Sequence, residues 1–202
     1  MLDELLRPVK ERALTPFAIL LGDRTHPTAV TVLGFAFGIA SAAFAARANY
    51  GAALALWAVN RALDGLDGTL ARVQGSQTDR GGYLDILLDF IVYAAIPLAL
   101  VMANRTAPIA VAAAVMLGSF YVNAGSWMYL SAILERRDAG ARARGELTSV
   151  TMPTGLIGGT ETIVLYTLFF LFPRHLTVLF LVTSLLVLAT AGQRLLWAVR
   201  KL

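Results

Sequence analysis

The sequence predicts an all-α polytopic membrane bundle of six transmembrane helices preceded by an N-terminal amphipathic surface helix. Three observations carry that prediction. The 202 residues are 57% hydrophobic and only 15% charged, whereas a soluble domain carries about 25% charged residues; mean hydropathy is +0.68. Apolar runs recur at roughly the 20-residue length that a helix needs to cross a bilayer. Basic residues gather between those runs, mostly on one side. The chain reads as one membrane domain, residues 1–202.

Taken in order, residues 1–22 place Leu2, Leu5, Leu6, Val9, Ala13, Phe17 and Leu20 at near-helical spacing, with Arg7, Lys10 and Arg12 between them. A helix lying on the membrane surface is expected there. The segment lacks a basic stub followed by an apolar core, so no cleaved leader is expected. Six spans then fill residues 27–197: 27–47, 50–73, 80–103, 107–133, 153–172 and 175–197. The second and third are apolar over only part of their length. The fifth contains Glu161.

Lys and Arg set the orientation. One side receives Arg7, Lys10, Arg12, Arg24, Arg72, Arg80, Arg136, Arg137, Arg142, Arg144, Arg194, Arg200 and Lys201; the other receives only Arg47, Arg105 and Arg174. The positive-inside rule places both termini in the cytoplasm. The formal net charge of +4 is read as topology, with no nucleic-acid partner. The loop 134–152 reads first as a solvated cytoplasmic loop and second as a basic rim for anionic substrate or lipid heads. The absence of Cys excludes thiolate chemistry and disulfides, and two histidines, His26 and His175, exclude a His-rich metal site.

Four aspartates break the hydrophobic pattern. They stand in Asp64-Gly65-Leu66-Asp67-Gly68-Thr69-Leu70-Ala71-Arg72 and, eight residues later, in Gly81-Gly82-Tyr83-Leu84-Asp85-Ile86-Leu87-Leu88-Asp89. An ionised carboxylate in hydrocarbon costs several kcal/mol or more unless it is paired. Asp64 and Asp67 share one helix face, as do Asp85 and Asp89, and a short polar turn makes the two segments antiparallel neighbours. Four oxygen donors without thiolate or imidazole suit Mg²⁺ or Mn²⁺, with Ca²⁺ as a competitor. Two such ions about 3.5–4 Å apart form a clamp for phosphoryl transfer. Gly65, Gly68, Gly81 and Gly82 leave room for a phosphorylated ligand, or serve close helix packing. Arg72 stands at the mouth, where a guanidinium can meet phosphate oxygens.

This string is similar to the signature of the CDP-alcohol phosphotransferase (phosphatidyltransferase) family, D-x-x-D-G-x-x-A-R, eight residues, then G-x-x-x-D-x-x-x-D. Asp64, Asp67, Gly68, Ala71, Arg72, Gly81, Asp85 and Asp89 fill every defining position. The resemblance implies transfer of a phosphatidyl group from a CDP-linked lipid to an alcohol, with release of CMP. It implies metal binding by Asp64, Asp67 and Asp85, with Asp89 completing the metal site and acting as base. It implies contacts to the cytidine diphosphate from Gly68, Ala71, Arg72, Gly81 and Thr31. It also implies a homodimer in a bacterial or archaeal cell membrane, with a cytoplasmic site and a lateral cleft for lipid tails. Gly118, Ala124 and Gly125 are one candidate packing surface. Thr28 stands where family members commonly carry Asn, which removes the amide from that position.

The acceptor is less legible. Glu161, read as about eight residues into the fifth span, either binds acceptor hydroxyls or bonds a neighbouring helix. Arg61 either meets an acceptor phosphate or offsets the aspartate charge. Inositol phosphate, glycerol phosphate and other polyols all remain candidates. Two rivals are a cation- or proton-coupled transporter with an intramembrane carboxylate site and a CDP-lipid-binding protein without catalysis.

Overall fold

The computed structural model describes residues 2–140 and 155–202, which contain helices and no strands. The helices are α1 (Leu2–Leu21), α2 (Pro27–Ala46), α3 (Tyr50–Val73), α4 (Asp79–Asn104), α5 (Ala107–Arg136), α6 (Gly159–Leu171) and α7 (Leu176–Lys201), with 3-10 turns at Gly22–Arg24 and Pro173–His175. Four of them are long and apolar enough to cross a membrane: α2, α4, α5 and α7 with its preceding turn. The protein is a multi-pass membrane protein. Each of the six expected spans contains a helix; α3 carries too many charges to read as apolar, and α6 is only 13 residues long.

Local chemistry explains the boundaries. His26 caps α2 by accepting from the Thr28 amide at 3.2 Å, with Pro27 in the first turn. Asn49 caps α3 through the Ala52 amide at 3.2 Å, and Thr78 caps α4 through the Gly81 amide at 3.1 Å. The helix of the fifth expected span begins at Gly159, and residues 153 and 154 lie outside the described residues. Residues Gly155–Gly158 are not helical, because the Leu156 amide donates to Gln193 Oε1 and the Ile157 amide to Thr190 Oγ1, both at 2.9 Å. These bonds tie the segment to α7 before α6 starts.

Helices α2, α3 and α4 form the tightest unit. Gly34, Gly38, Ser41, Ala42 and Ala45 give α2 a buried face of small side chains, so its backbone approaches its neighbours closely. Ser41 Oγ donates to the Ala53 carbonyl at 2.7 Å, and Asn60 Nδ2 to the Gly34 carbonyl at 2.8 Å. Helices α5 and α7 make a second pair, tied by Arg194 Nη1 donating to Asn123 Oδ1 at 2.5 Å. Between the two lies a core that includes Trp57, Ile96, Met116, Tyr166, Phe169 and Phe180.

Pro97 lies buried inside α4. Lacking an N–H, it leaves the Tyr93 carbonyl, four residues back, without its helical partner. The Tyr166 hydroxyl of α6 donates to that carbonyl at 2.7 Å. Helix α1 packs on α3 with Ala18 buried and Leu14 against Gly65, where a Cβ would come within 2.8 Å of Leu14 Cδ1. Gly65 therefore serves helix packing and not ligand access. Val9, Phe17, Ile19 and Leu20 of α1 remain exposed.

Candidate active site

The four aspartates line one cleft of about 220 Å³ with Thr31, Asn60 and Val92. Asp67 is buried, whereas Asp64 and Asp89 are each about a quarter exposed. The cleft runs into a groove of about 620 Å³, which shares Thr31, Asp67 and Asp85 with it and adds Gly68, Ala71, Arg72 and Gly81. Every residue expected to meet the cytidine diphosphate therefore faces one continuous groove. His26, Thr28, Ser76, Gln77 and Thr78 line it too. Thr28 opens α2, the others lie in the segments that precede α2 and α4, and nothing in the spacing of the motif points to them.

The glycines of the groove act locally. A Cβ at Gly68 would lie 3.4 Å from Arg72 Nη1, and one at Gly81 would lie 3.2 Å from Thr78 Oγ1. Small residues thus leave Arg72 and the α4 cap in place. Arg72 also faces Glu11 of α1, Nη2 to Oε1 at 3.3 Å, and donates to Thr69 Oγ1 at 3.2 Å.

The donor set suits a hard divalent ion. Asp67 Oδ2 is buried and has no hydrogen-bond partner, which is a costly state for a carboxylate oxygen unless a cation meets it. No three acidic or imidazole side chains among the described residues close into a ready-made coordination shell. The carboxylates are walls of one groove, with space between them.

Of the two candidate acceptor residues, Glu161 is placed differently from expectation and Arg61 takes one of its two expected roles. Glu161 lies in the first turn of α6 and not deep in a span, because that helix begins at Gly159. Its Oε2 accepts from the Gly158 amide at 3.0 Å, which is a capping contact. Arg61 is buried and directed to Asp89: Nη2 to Oδ1 at 2.6 Å and Nη1 to Oδ2 at 3.1 Å. That geometry favours charge compensation over an acceptor-phosphate contact. Of the basic rim, Arg136 ends α5 and Arg137 follows it, while Arg142 and Arg144 lie outside the described residues.

An all-helical, multi-pass membrane protein with a carboxylate-walled groove and a basic mouth belongs to the class that handles anionic lipid substrates with hard cations. The profile described as CDP-alcohol phosphatidyltransferase matches residues 24–198, and the chain belongs to the CDP-alcohol phosphatidyltransferase family. Inner membrane protein YnjF of Escherichia coli (strain K12) is 37% identical over 147 residues, 73% of this chain and 70% of the relative. The bifunctional IPC transferase and DIPP synthase of Thermococcus kodakarensis is 34% identical over 119 residues, 58% of this chain and 27% of the relative. The CDP-diacylglycerol–serine O-phosphatidyltransferase of Mycobacterium leprae is 38% identical over 71 residues, 35% of this chain and 24% of the relative. The chain thus spans about a quarter of the length of the latter two.

Mycobacterium tuberculosis phosphatidylinositol phosphate synthase (PgsA1) with CDP-DAG bound shares the fold, with TM-score 0.70 and 24% identity over 91% of this chain and 92% of that one. The same protein in complex with manganese and citrate gives TM-score 0.70 at 23% identity over 90% of this chain and 87% of that one. The family is metal-dependent, and this chain is a transferase of phospholipid synthesis. Family membership sets that reading above the transporter.

Proposed function

We propose that this chain transfers a phosphatidyl group from CDP-diacylglycerol, or a close CDP-linked lipid, to a small polyol or its phosphate. The observation that carries the proposal is the continuity of the groove from the four aspartates to Gly68, Ala71, Arg72 and Gly81. Arg72, with Gly68, Ala71, Gly81 and Thr31 along the same groove, receives the diphosphate and cytidine. Asp64, Asp67 and Asp85 would hold Mg²⁺ or Mn²⁺, two ions, with Asp89 completing the metal site. The ions would neutralise charge on the diphosphate and the leaving CMP.

Asp89 takes the proton from the acceptor hydroxyl as its oxygen bonds to the lipid-bearing phosphorus. The bond from that phosphorus to the CMP oxygen breaks, and the electron pair leaves with CMP. Holding both reactants against one wall supplies much of the remaining rate. Glu161 keeps its place as a candidate acceptor contact near the start of α6, beside its capping role.

The membrane arrangement follows the same reading. Helices α2 to α7 make six crossings, with termini and groove on the cytoplasmic side, as the basic residues require. Helix α1 lies on the surface, with Val9, Phe17 and Leu20 toward lipid. A lateral cleft admits the lipid tails. The chain pairs as a homodimer, with α5 at Gly118 and Gly125, where a Cβ meets nothing within 4 Å, as one candidate face.

The test is an acceptor screen with labelled CDP-diacylglycerol, reading CMP release and the lipid product by mass spectrometry. Release should require Mg²⁺ or Mn²⁺ and vanish in Asp89→Asn. No CMP with any alcohol would sink the proposal.

A further inference from the structure

Gln74 lies outside the family string, among the eight residues between Arg72 and Gly81 that the string leaves open. Its backbone closes α3, with the amide donating to the Arg72 and Leu70 carbonyls. Its side chain is engaged elsewhere, on the linker between α1 and α2. Nε2 donates to the Gly22 carbonyl at 2.6 Å and to the Thr25 carbonyl at 3.0 Å. Oε1 accepts from Ser76 Oγ at 3.0 Å. A carboxamide has two N–H donors, and here both meet main-chain carbonyls, which can only accept.

Those carbonyls are 52 and 49 residues away in sequence. They stand near the two ends of the linker, where Gly22 turns in the left-handed region at φ +50 and Thr25 is extended. One side chain therefore holds the whole linker to the end of α3. The linker leads directly into His26, Pro27, Thr28 and Thr31, which line the nucleotide groove together with Gly68, Ala71 and Arg72 of α3. Ser76, bonded to the same carboxamide, lines it too. Gln74 itself is not among the described residues that line the groove. Deeper in the bundle, Val30 of α2 and Leu70 of α3 share one buried apolar cluster. Beyond Leu70, Gln74 continues that seam with directional bonds.

We propose that Gln74 is a positioning residue for the donor nucleotide. It latches the α1–α2 linker to the end of α3 and so fixes the spacing across the groove between His26–Thr28 and Gly68–Arg72. The nucleotide then meets walls that are set in advance, so Gln74 acts on binding of the CDP-linked lipid and not on the chemical step. The identity of that ligand rests on the proposed function, whereas the latch stands on the hydrogen bonds.

The test uses the full chain in detergent. Tryptic cleavage after Arg24, an exposed linker residue, reports the latch. Calorimetric titration with CDP and Mn²⁺ reports the groove, and CMP release from CDP-diacylglycerol reports turnover. Gln74→Met keeps an unbranched, uncharged side chain of similar length without donors. Gln74→Glu keeps the shape but presents only acceptors to the two carbonyls. Both variants should be cut after Arg24 at least about fivefold faster than wild type, because cleavage follows the population of the open linker. Cleavage after Arg105, which caps the other end of α4, should not change. Gln74→Met should raise the Kd for CDP and the KM for CDP-diacylglycerol by about five- to tenfold, with kcat within about twofold of wild type.

A Gln74→Glu protein cut no faster than wild type would show that the donors hold nothing, and would overturn the proposal. So would a Gln74→Met protein that is cut faster yet binds CDP as wild type does, which would make the latch a matter of stability alone. Faster cleavage after Arg24 and Arg105 alike, or a fall in kcat as large as the rise in KM, would overturn it as well. Wild-type protein that binds CDP but releases no CMP overturns the proposed function and not the latch, which cleavage and CDP binding decide by themselves. Wild-type protein that binds no CDP overturns both.

Discussion

Gly38 of α2 faces α4 with no room for a methyl group. A Cβ there would lie 2.6 Å and 2.9 Å from the two Val92 methyls and 3.1 Å from Asn60 Nδ2. Carbon atoms in contact need at least about 3.4 Å, so Gly38→Ala forces α2 and α4 apart by about 0.8 Å. Val92 cannot rotate clear, because a β-branched side chain in a helix has essentially one rotamer. Overpacking of this kind costs about 1–3 kcal/mol, which is about 2–12 °C of melting temperature for a chain of this size. Val92 is three residues from Asp89, and Asn60 orients Arg61, so the same displacement reaches the site. A shift near 1 Å can lower turnover by about 100-fold.

The assays are thermal unfolding in detergent and metal-dependent CMP release. Val92→Ala should largely restore both properties in the Gly38→Ala background, since it removes the methyls that collide. A Gly38→Ala protein with unchanged stability and turnover would refute the reasoning. So would a double variant no better than the single one.

Three further outcomes are expected. Tyr166→Phe should cost about 1–3 kcal/mol by orphaning the Tyr93 carbonyl, yet almost nothing in a Pro97→Ala background, where an amide refills the helix; equal losses in both backgrounds, measured by denaturant unfolding, would count against it. Thr78→Ala should remove about 1 kcal/mol by uncapping α4 and raise the KM for the CDP-lipid through Gly81, read from melting curves and initial rates. Glu161→Gln should raise the acceptor KM without altering CDP-lipid binding. An unchanged acceptor KM would leave Glu161 a helix cap only.

Much of the helix layout is legible because its boundaries are chemical. Asn49 and Thr78 mark the starts of α3 and α4, and the expected 50–73 coincides with Tyr50–Val73. The fifth segment's helix starts at Gly159, where Gly158 with Glu161 three residues later is a capping signal that hydropathy alone passes over. The aspartates are legible from spacing, since each pair shares a face of one helix. Arg61 is ambiguous for the opposite reason: its partner, Asp89, is 28 residues away on another helix. Trp57 and Tyr93 are missed for the same cause. Their aromatic character reads equally well as core, and only the fold, with α3 and α4 both packed on α2, shows them flanking a cation.

The vacancy that Pro97 leaves in α4 has a consequence for biogenesis. A carbonyl without a partner in hydrocarbon costs several kcal/mol, so α4 alone is a poor membrane helix at the level of Tyr93. Its missing donor, Tyr166, is synthesised more than seventy residues later. Until α6 arrives, that carbonyl must be served by water or by another chain, and α4 is held back from full exposure to lipid. Docking of α6 then closes the gap and fixes its register on α4 through a single hydroxyl. The proline thereby sets an order of assembly, with the floor beneath Asp89 and Arg61 completed among the last parts of the bundle.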